Sequence, residues 1–289
     1  MPSGSNPLVS VCIPVKNGEL HIQDAIESVL EQTYETFELI VLDNASEDRT
    51  VEIVRSNVDP RLRLVESKAA VGAIENWIRT CRLAQGEYLK LLCHDDFIDA
   101  RQLAIQVKAL EDNPTATISS TKRRLIDEDG HVLMDSFGLG KMAGLVPGKK
   151  AIEECIAAGT NLLGEPAAVL FRRSAIEKAG VWSDAFPYLV DLEMYFRVLA
   201  QGDLFAIQAP LAAFRTHRAS WSSRVRSSQG PQARALIRAW SSNGSGVSKR
   251  ARVEGQVRAS LLPYARSAAG TRSGRSLLMK LNGRHGRPS

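Results

Sequence analysis

The chain has 289 residues, 44% hydrophobic and 24% charged, ordinary for a soluble globular protein and enough for one large α/β domain with a short appendage. Its longest apolar runs, such as Val9 to Val15 around Ser10, are strand-sized and too short to cross a bilayer. The net charge of +5 hides an asymmetry: 14 of the 37 Lys/Arg but one of the 32 Asp/Glu lie from Trp221 onward, so a body at −8 precedes a segment at +13.

Leu8 to Pro14 reads as a first strand, closed by a proline that cannot continue a ladder. Val15 to Glu19 is a turn, and Ile22, Ala25, Ile26, Val29 and Leu30 trace one face of a helix over Leu20–Leu30. A strand at Phe37–Leu42 ends on Asp43 and Asn44, before a helix over Arg49–Ser56. Arg61–Glu66 is a third strand, Val71–Leu83 a helix, and Gly86–Leu92 a fourth strand that runs into Asp95 and Asp96. A helix over Arg101–Glu111, capped by Asp99 with Gln102 as capping-box partner, and a strand over Thr115–Thr121 complete this half. Strand and helix alternating in this way predict a largely parallel sheet with helices on both faces.

Ligands bind such sheets beyond the carboxyl ends of the strands. Pro14 and Asn17, Asp43 and Asn44, and Asp95 and Asp96 follow three of those ends. Two adjacent carboxylates repel unless a positive charge sits between them, and a hard divalent cation is one such charge. Asp95 and Asp96 as plain solvated loop residues remain the alternative. No GxGxxG follows the first strand and no GxxxxGK[ST] occurs, which favours a metal over a glycine loop for holding phosphates.

Lys122 to Leu145 reads as a hairpin turning at Asp129-Gly130. A helix over Lys149–Ala157, a strand over Ala167–Phe171, a short helix capped by Ser174, and a helix over Leu189–Gln201 carrying Asp191 and Glu193 follow. Cys12, Cys81, Cys93 and Cys155 form no CxxC and are expected to be reduced thiols in a cytosolic protein, and residues 1–6 lack the features of a signal peptide. From Trp221 the chain turns Ser/Gly-rich, with amphipathic helices expected at about Pro231–Trp240 and Val247–Leu262 and disorder after Gly270.

Val9-Ser10-Val11-Cys12-Ile13-Pro14-Val15-Lys16-Asn17, the block Phe37 to Thr50, Gly72 to Trp77 and Cys93-His94-Asp95-Asp96 together resemble the family 2 glycosyltransferases of the GT-A fold, which use nucleotide-diphosphate sugars. The resemblance spans Val9 to about Ser222. It implies a GT-A (Rossmann-like) α/β fold: a nucleotide-sugar half over 1–121, an acceptor half over 122–220, and a basic, partly helical or disordered extension over 221–289. It further implies donor contacts from Pro14, Asn17, Glu19, Asp43, Asn44, Asn76, His94, Asp96 and Arg215. Asp95 and His217, the latter in the closing Phe214-Arg215-Thr216-His217 segment with Ser220, are the implied ligands of Mn²⁺ or Mg²⁺. Asp191 is the implied general base, with Glu193 the weaker candidate because two residues along a helix point about 200° apart.

The implied activity is inverting transfer from a UDP- or dTDP-sugar to the hydroxyl of a carbohydrate or lipid-linked acceptor, in cell-surface polysaccharide or glycoconjugate synthesis. Two departures from the family pattern, Cys93 for the first metal-motif Asp and Asn44 for an Asp, leave open a protein that binds nucleotide-sugars without turning them over. The basic extension has three readings: a solvated tail, a peripheral contact with the anionic inner face of the membrane, or non-specific nucleic-acid binding, for which no recognisable module is present.

Overall fold

A computed structural model describes residues 8–217, 228–242 and 246–267. Four parallel strands open the sheet in the order β3-β2-β1-β4: β1 (Val9–Val15), β2 (Phe37–Asp43), β3 (Leu62–Glu66) and β4 (Tyr88–Leu91). β1 is buried along its whole length, as a central strand covered on both faces must be. Helix α1 (Ile22–Leu30) buries Ile22, Ala25, Ile26 and Val29, the face its spacing predicts. α2 (Thr50–Ser56) and α3 (Ala73–Arg82) complete the crossovers.

Pro14 does not close β1. It lies within the strand opposite Leu42 of β2, whereas the β4 ladder ends opposite Cys12. Leu92 N–H bonds Cys12 C=O, so the even-numbered positions of β1 face β4, and at Pro14 no ladder partner calls for the N–H it lacks.

Next come β5 (Phe97–Ile98), α4 (Gln102–Glu111), β6 (Ala116–Ile126), β7 (Val132–Phe137), β8 (Gly144–Val146) and α5 (Gly148–Ala158). β9 (Val169–Arg172), α6 (Arg173–Ala179), α7 (Val190–Leu199) and β10 (Asp203–Arg215) follow. The sheet continues β4-β9-β6-β10-β5, with β7 paired to β6 and β8 to β10. β9 runs antiparallel to both β4 and β6, so the parallel order of the first half gives way to a mixed one. The expected hairpin forms, yet β6 is one strand of 11 residues running through positions 121 and 122, so the two expected halves share it.

Of the two expected caps, that of α4 forms only in its Asp99 half and that of α6 is absent. Asp99 accepts from Arg101 N–H at 3.0 Å and pairs with the Arg101 guanidinium, while Gln102 turns inward to donate to Thr121 Oγ1 and Ala167 C=O. Ser174 sits inside α6, which starts at Arg173.

Three buried side chains grip the turn that precedes β9. Lys90, in the middle of β4, donates through Nζ to Ala167 and Val169 C=O at 2.8 and 3.0 Å. Gln102 and Gln106 bond Ala167 and Ala168 C=O at 3.0 and 2.9 Å. Complete burial drives the Lys90 ammonium well below the usual lysine range. The segment Glu165–Val169 is thereby held at the rim of the crevice.

The basic extension folds back in part. α8 (Gln229–Trp240) buries Ala233, Leu236 and Ile237, and α9 (Lys249–Ser267) buries Ala251, Ala259 and Leu262. At Gly255, α9 approaches the Ile156 carbonyl of α5 so closely that a Cβ would collide with it. This part of the extension is docked, not a solvated tail. The expectations for Ser220 and for the residues after Gly270 lie outside the described residues.

Candidate active site

The loops after β1 and β2 are laced together. Asn17, at φ +52, donates its N–H to Ser46 Oγ (2.8 Å) and accepts Glu47 N–H on Oδ1 (2.9 Å). Gly18 N–H bonds Thr50 Oγ1 at 2.8 Å, and Glu19 accepts Arg49 N–H at 3.2 Å. Asn17 and Glu19, both expected at the donor, therefore tie one loop to the other. Asn44 is committed likewise: its amide donates to Val71 C=O at 2.9 Å and accepts Val71 N–H at 2.8 Å. With both ends of the amide engaged, Asn44 shapes the site rather than offering itself to a base or sugar.

Three other expected donor residues are different. Asp43 accepts Ser46 N–H on Oδ2 at 3.0 Å, but its Oδ1 is buried without a hydrogen-bond partner. Asn76 Oδ1 and Asp96 Oδ2 are buried and unpartnered in the same way. A buried acceptor left unmatched costs roughly 1–3 kcal/mol, so these three oxygens fit groups that bring N–H, O–H or positive charge.

Beyond β4, Cys93, Asp95 and Asp96 place their ligand atoms within 4.8 Å of one another. Asp96 accepts Arg215 N–H on Oδ1 at 3.0 Å. Burial, and then the charge of Asp95, push the Asp96 carboxyl well above the usual carboxylate range. Asp95 Oδ2 lies 2.8 Å from His217 Nε2. Burial opposes ionisation of Asp95, yet the His217 hydrogen bond and the nearby His94 hold it below the usual range. The same bond raises His217. The Cys93 thiol is pushed well up by burial and by its carboxylate neighbours, so it stands as a neutral S–H.

Two expected donor ligands also make contacts within the protein. Arg215 is 4% exposed, and each of its three guanidinium nitrogens makes one bond to the protein. Nε bonds Asp95 C=O (3.1 Å), Nη1 bonds Glu128 C=O (2.9 Å) and Nη2 pairs with Asp24 (3.0 Å). It clamps the Asp95–Asp96 turn. The His94 ring packs on Gly18, where a Cβ would come within 2.7 Å of Cδ2. His21, which sequence reasoning passed over, stands with its ring 6.1 Å from that of His217. Its only signal was its position just past the β1 turn.

On the facing side, Asp191 opens α7. Leu192 N–H donates to its Oδ1 at 2.7 Å and Asn161 Nδ2 to its Oδ2 at 2.8 Å. Burial, then the charge of Glu165, push Asp191 up to about 7 despite those two bonds. Glu193 points elsewhere and pairs with Arg197 at 2.9 Å. Glu165 forms an ion pair with the buried Arg123, whose guanidinium stacks on Phe137 at 4.6 Å from the ring centroid. Arg123 carried no motif; its packing depends on contacts distant in sequence. The charges of Asp96, Asp95, Asp191 and Glu165 all act on the Cys93 thiol, so these four carboxyl groups lie in its neighbourhood.

The sequence profile of glycosyl transferase family 2 matches residues 10–180, more than half of the chain. The chain belongs to glycosyl transferase family 2. An uncharacterised protein of Mycobacterium tuberculosis is 26% identical over 228 residues, covering 76% of this chain and 71% of its own. An uncharacterised glycosyltransferase of Rickettsia typhi is 26% identical over 216 residues, covering 74% and 65%. Among solved structures, Staphylococcus aureus TarS residues 1–349 in complex with UDP-GlcNAc aligns with TM-score 0.66 at 15% identity, covering 93% of this chain and 75% of that one. The Pyrobaculum calidifontis mannosyltransferase PcManGT, in complex with GDP-Man and Mn²⁺, gives 0.56 at 18%, covering 96% and 84%. These likenesses show the GT-A fold.

In this member of glycosyl transferase family 2 the residues present suit a divalent cation. Asp95 and the unpartnered Asp96 Oδ2 supply hard oxygen donors at one place, and His217 stands next to them with its Nε2 on Asp95. A second group, Asp127, Asp129 and His131, is an exposed turn whose carboxylate already accepts the local N–H groups.

Proposed function

We propose that this protein is an inverting, cation-dependent glycosyltransferase that moves a sugar from a nucleotide-diphosphate donor to an acceptor hydroxyl. Asp191 supports this reading most: its carboxyl is raised to about 7, and its charge acts on Cys93, whose thiol lies beside Asp95 and Asp96. Asp191 takes the proton of the acceptor hydroxyl as its oxygen attacks the anomeric carbon. The bond from that carbon to the diphosphate breaks on the opposite face, and its electron pair leaves on the diphosphate oxygen. The result is inversion. Asp95, Asp96 and His217 would hold Mn²⁺ or Mg²⁺, which when bound supplies positive charge for the departing diphosphate.

Asp43 Oδ1 and Asn76 Oδ1 are acceptors for N–H or O–H groups of the nucleoside. UDP- and dTDP-sugars both offer a base N–H, and the UDP-GlcNAc complex of TarS favours the former for the first trials. The acceptor is a carbohydrate or lipid-linked hydroxyl of polysaccharide or glycoconjugate synthesis. A peripheral contact with anionic lipid fits α9: Val253, Val257 and Leu261 are exposed on the face away from the docked Ala251, Gly255 and Ala259, beside exposed Lys249, Arg250 and Arg252. No helix among the described residues is long and apolar enough to cross a membrane.

The test is release of nucleoside diphosphate from a panel of UDP-, dTDP- and GDP-sugars with Mn²⁺, Mg²⁺ or EDTA. Cation-dependent release from one donor class supports the proposal. Tight donor binding with no release, under any cation and with sugar acceptors added, would instead indicate a nucleotide-sugar-binding protein without turnover.

A further inference from the structure

The Asp191 carboxylate does not hold its own orientation. It opens α7 with only one backbone bond, from the neighbouring Leu192 N–H. Its second bond comes from a different part of the chain, where α5 has ended at the left-handed Gly159 (φ +66). There Asn161 closes a tight turn on Gly164, accepting Gly164 N–H on Oδ1 at 3.0 Å and donating Nδ2 to Gly164 C=O at 2.8 Å. That turn fixes which end of the amide is which. Because Oδ1 must meet an N–H, Nδ2 must face the other way, and it reaches Asp191 Oδ2 at 2.8 Å.

The turn itself is rigid. Gly164 has φ +103, a conformation that favours glycine, and a Cβ there would come within 2.9 Å of the Ala168 side chain. The next residues are gripped from beneath by Lys90, Gln102 and Gln106. Asn161 therefore couples the carboxylate to the best-anchored segment of the acceptor side. Asp at 161 would replace the donor by an acceptor, and Ala would remove it.

We propose that Asn161 is the positioning residue for Asp191, aiming its carboxylate at the acceptor hydroxyl through the Asn161–Gly164 turn. The proposal rests on Asp191 being the base. A hydrogen bond donated to a carboxylate also favours its ionised form. It acts here against burial and Glu165, with Arg123, Cys93, Tyr195 and Cys155 the other charged or titratable groups facing Asp191. Loss of Asn161 should therefore disturb both aim and proton affinity, whereas a plain structural prop would disturb neither selectively.

The experiment compares wild type, Asn161→Ala, Asn161→Ser and Asp191→Asn. It uses the full chain with UDP-GlcNAc and Mn²⁺, or with whichever nucleotide-sugar of the panel is cleaved, and reads nucleoside diphosphate release from pH 5 to 9. Asn161→Ala is expected to lower kcat by about tenfold to a hundredfold, as a misaimed reacting group does. Donor KM should stay within about twofold, and the acid limb of the profile should move to higher pH. Asn161→Ser, shorter but still a donor, should fall between Ala and wild type. Unchanged kcat and pH profile in Asn161→Ala, with Asp191→Asn inactive, would overturn the positioning role alone. Full activity of Asp191→Asn would overturn the base reading on which it rests. Should Asn161→Ala not fold, the Ser variant decides by the same readouts, together with the pH dependence of its stability against a variant that also carries Asp191→Asn. An Asp191 proton affinity there equal to that in the wild-type chain would overturn the proposal.

Discussion

His217 Nε2 lies 2.8 Å from Asp95 Oδ2, a contact that joins residues 122 positions apart. Asp95 raises the proton affinity of His217, and the pair's contribution to stability is present between the two titrations: it fades as pH rises through the folded value of His217 and as pH falls through the lowered value of Asp95. A cation competes with that proton. Titration calorimetry with Mn²⁺ is expected to show affinity falling as pH is lowered from 8 to 6, and His217→Ala should weaken binding by about 10- to 100-fold. Equal affinity in both proteins would remove His217 from the site.

Arg215 predicts a stability effect. Its guanidinium meets Asp95 C=O, Glu128 C=O and the Asp24 carboxylate, linking the β4 end, the β6–β7 turn and α1. Lys has one charged point and cannot meet all three. Arg215→Lys should cost about 2 kcal/mol in urea denaturation, on the scale of hydrogen bonds to charged groups. A loss of donor affinity with unchanged stability would instead support the donor contact expected of Arg215.

How much of this was legible follows from the range of each interaction. The helix face of α1 and the strands β1 to β4 follow from local periodicity, and three polar residues expected at strand ends or beneath the donor, Asp43, Asp96 and Asn76, proved to carry unpartnered buried oxygens. Arg215, Asn44 and Asn161 act through partners fixed only by tertiary packing. Asp24 lies 191 positions from Arg215, and Val71 lies 27 from Asn44. No spacing rule reaches that far. Pro14 misled for a related reason: a proline ends a strand only where a neighbour demands its N–H, and β4 had already stopped.

Gly255 tests the docking of α9. Its approach to Ile156 leaves no room for a side chain. Gly255→Val should detach α9 from α5 while the sheet stays folded. Limited trypsin digestion is then expected to cut at Arg250, Arg252 and Arg258 at least tenfold faster than in wild type, with far-UV circular dichroism otherwise retained. Equal digestion rates would show that the close crossing does not hold the helix.

Asp191 predicts a substrate-free signature. With its pKa raised to about 7, the folded chain keeps a proton that the unfolded chain releases near pH 4. The stabilising effect of holding that proton is complete below the unfolded value and is lost as pH rises through about 7. Asp191→Asn, which does not titrate, should therefore be more stable than wild type at pH 8 by on the order of 4 kcal/mol, and nearly equal to it at pH 4. Chemical denaturation at both pH values measures the difference. A constant offset would mean that Asp191 titrates normally.

The central claim is single displacement driven by Asp191, and the anomer formed tests it most directly. With an α-linked nucleotide-sugar that the enzyme cleaves, ¹H NMR during the first turnovers should show the β-linked product, or the β anomer when water is the acceptor. Asp191→Asn should form neither above background. An α product, or undiminished β product from Asp191→Asn, would contradict the account.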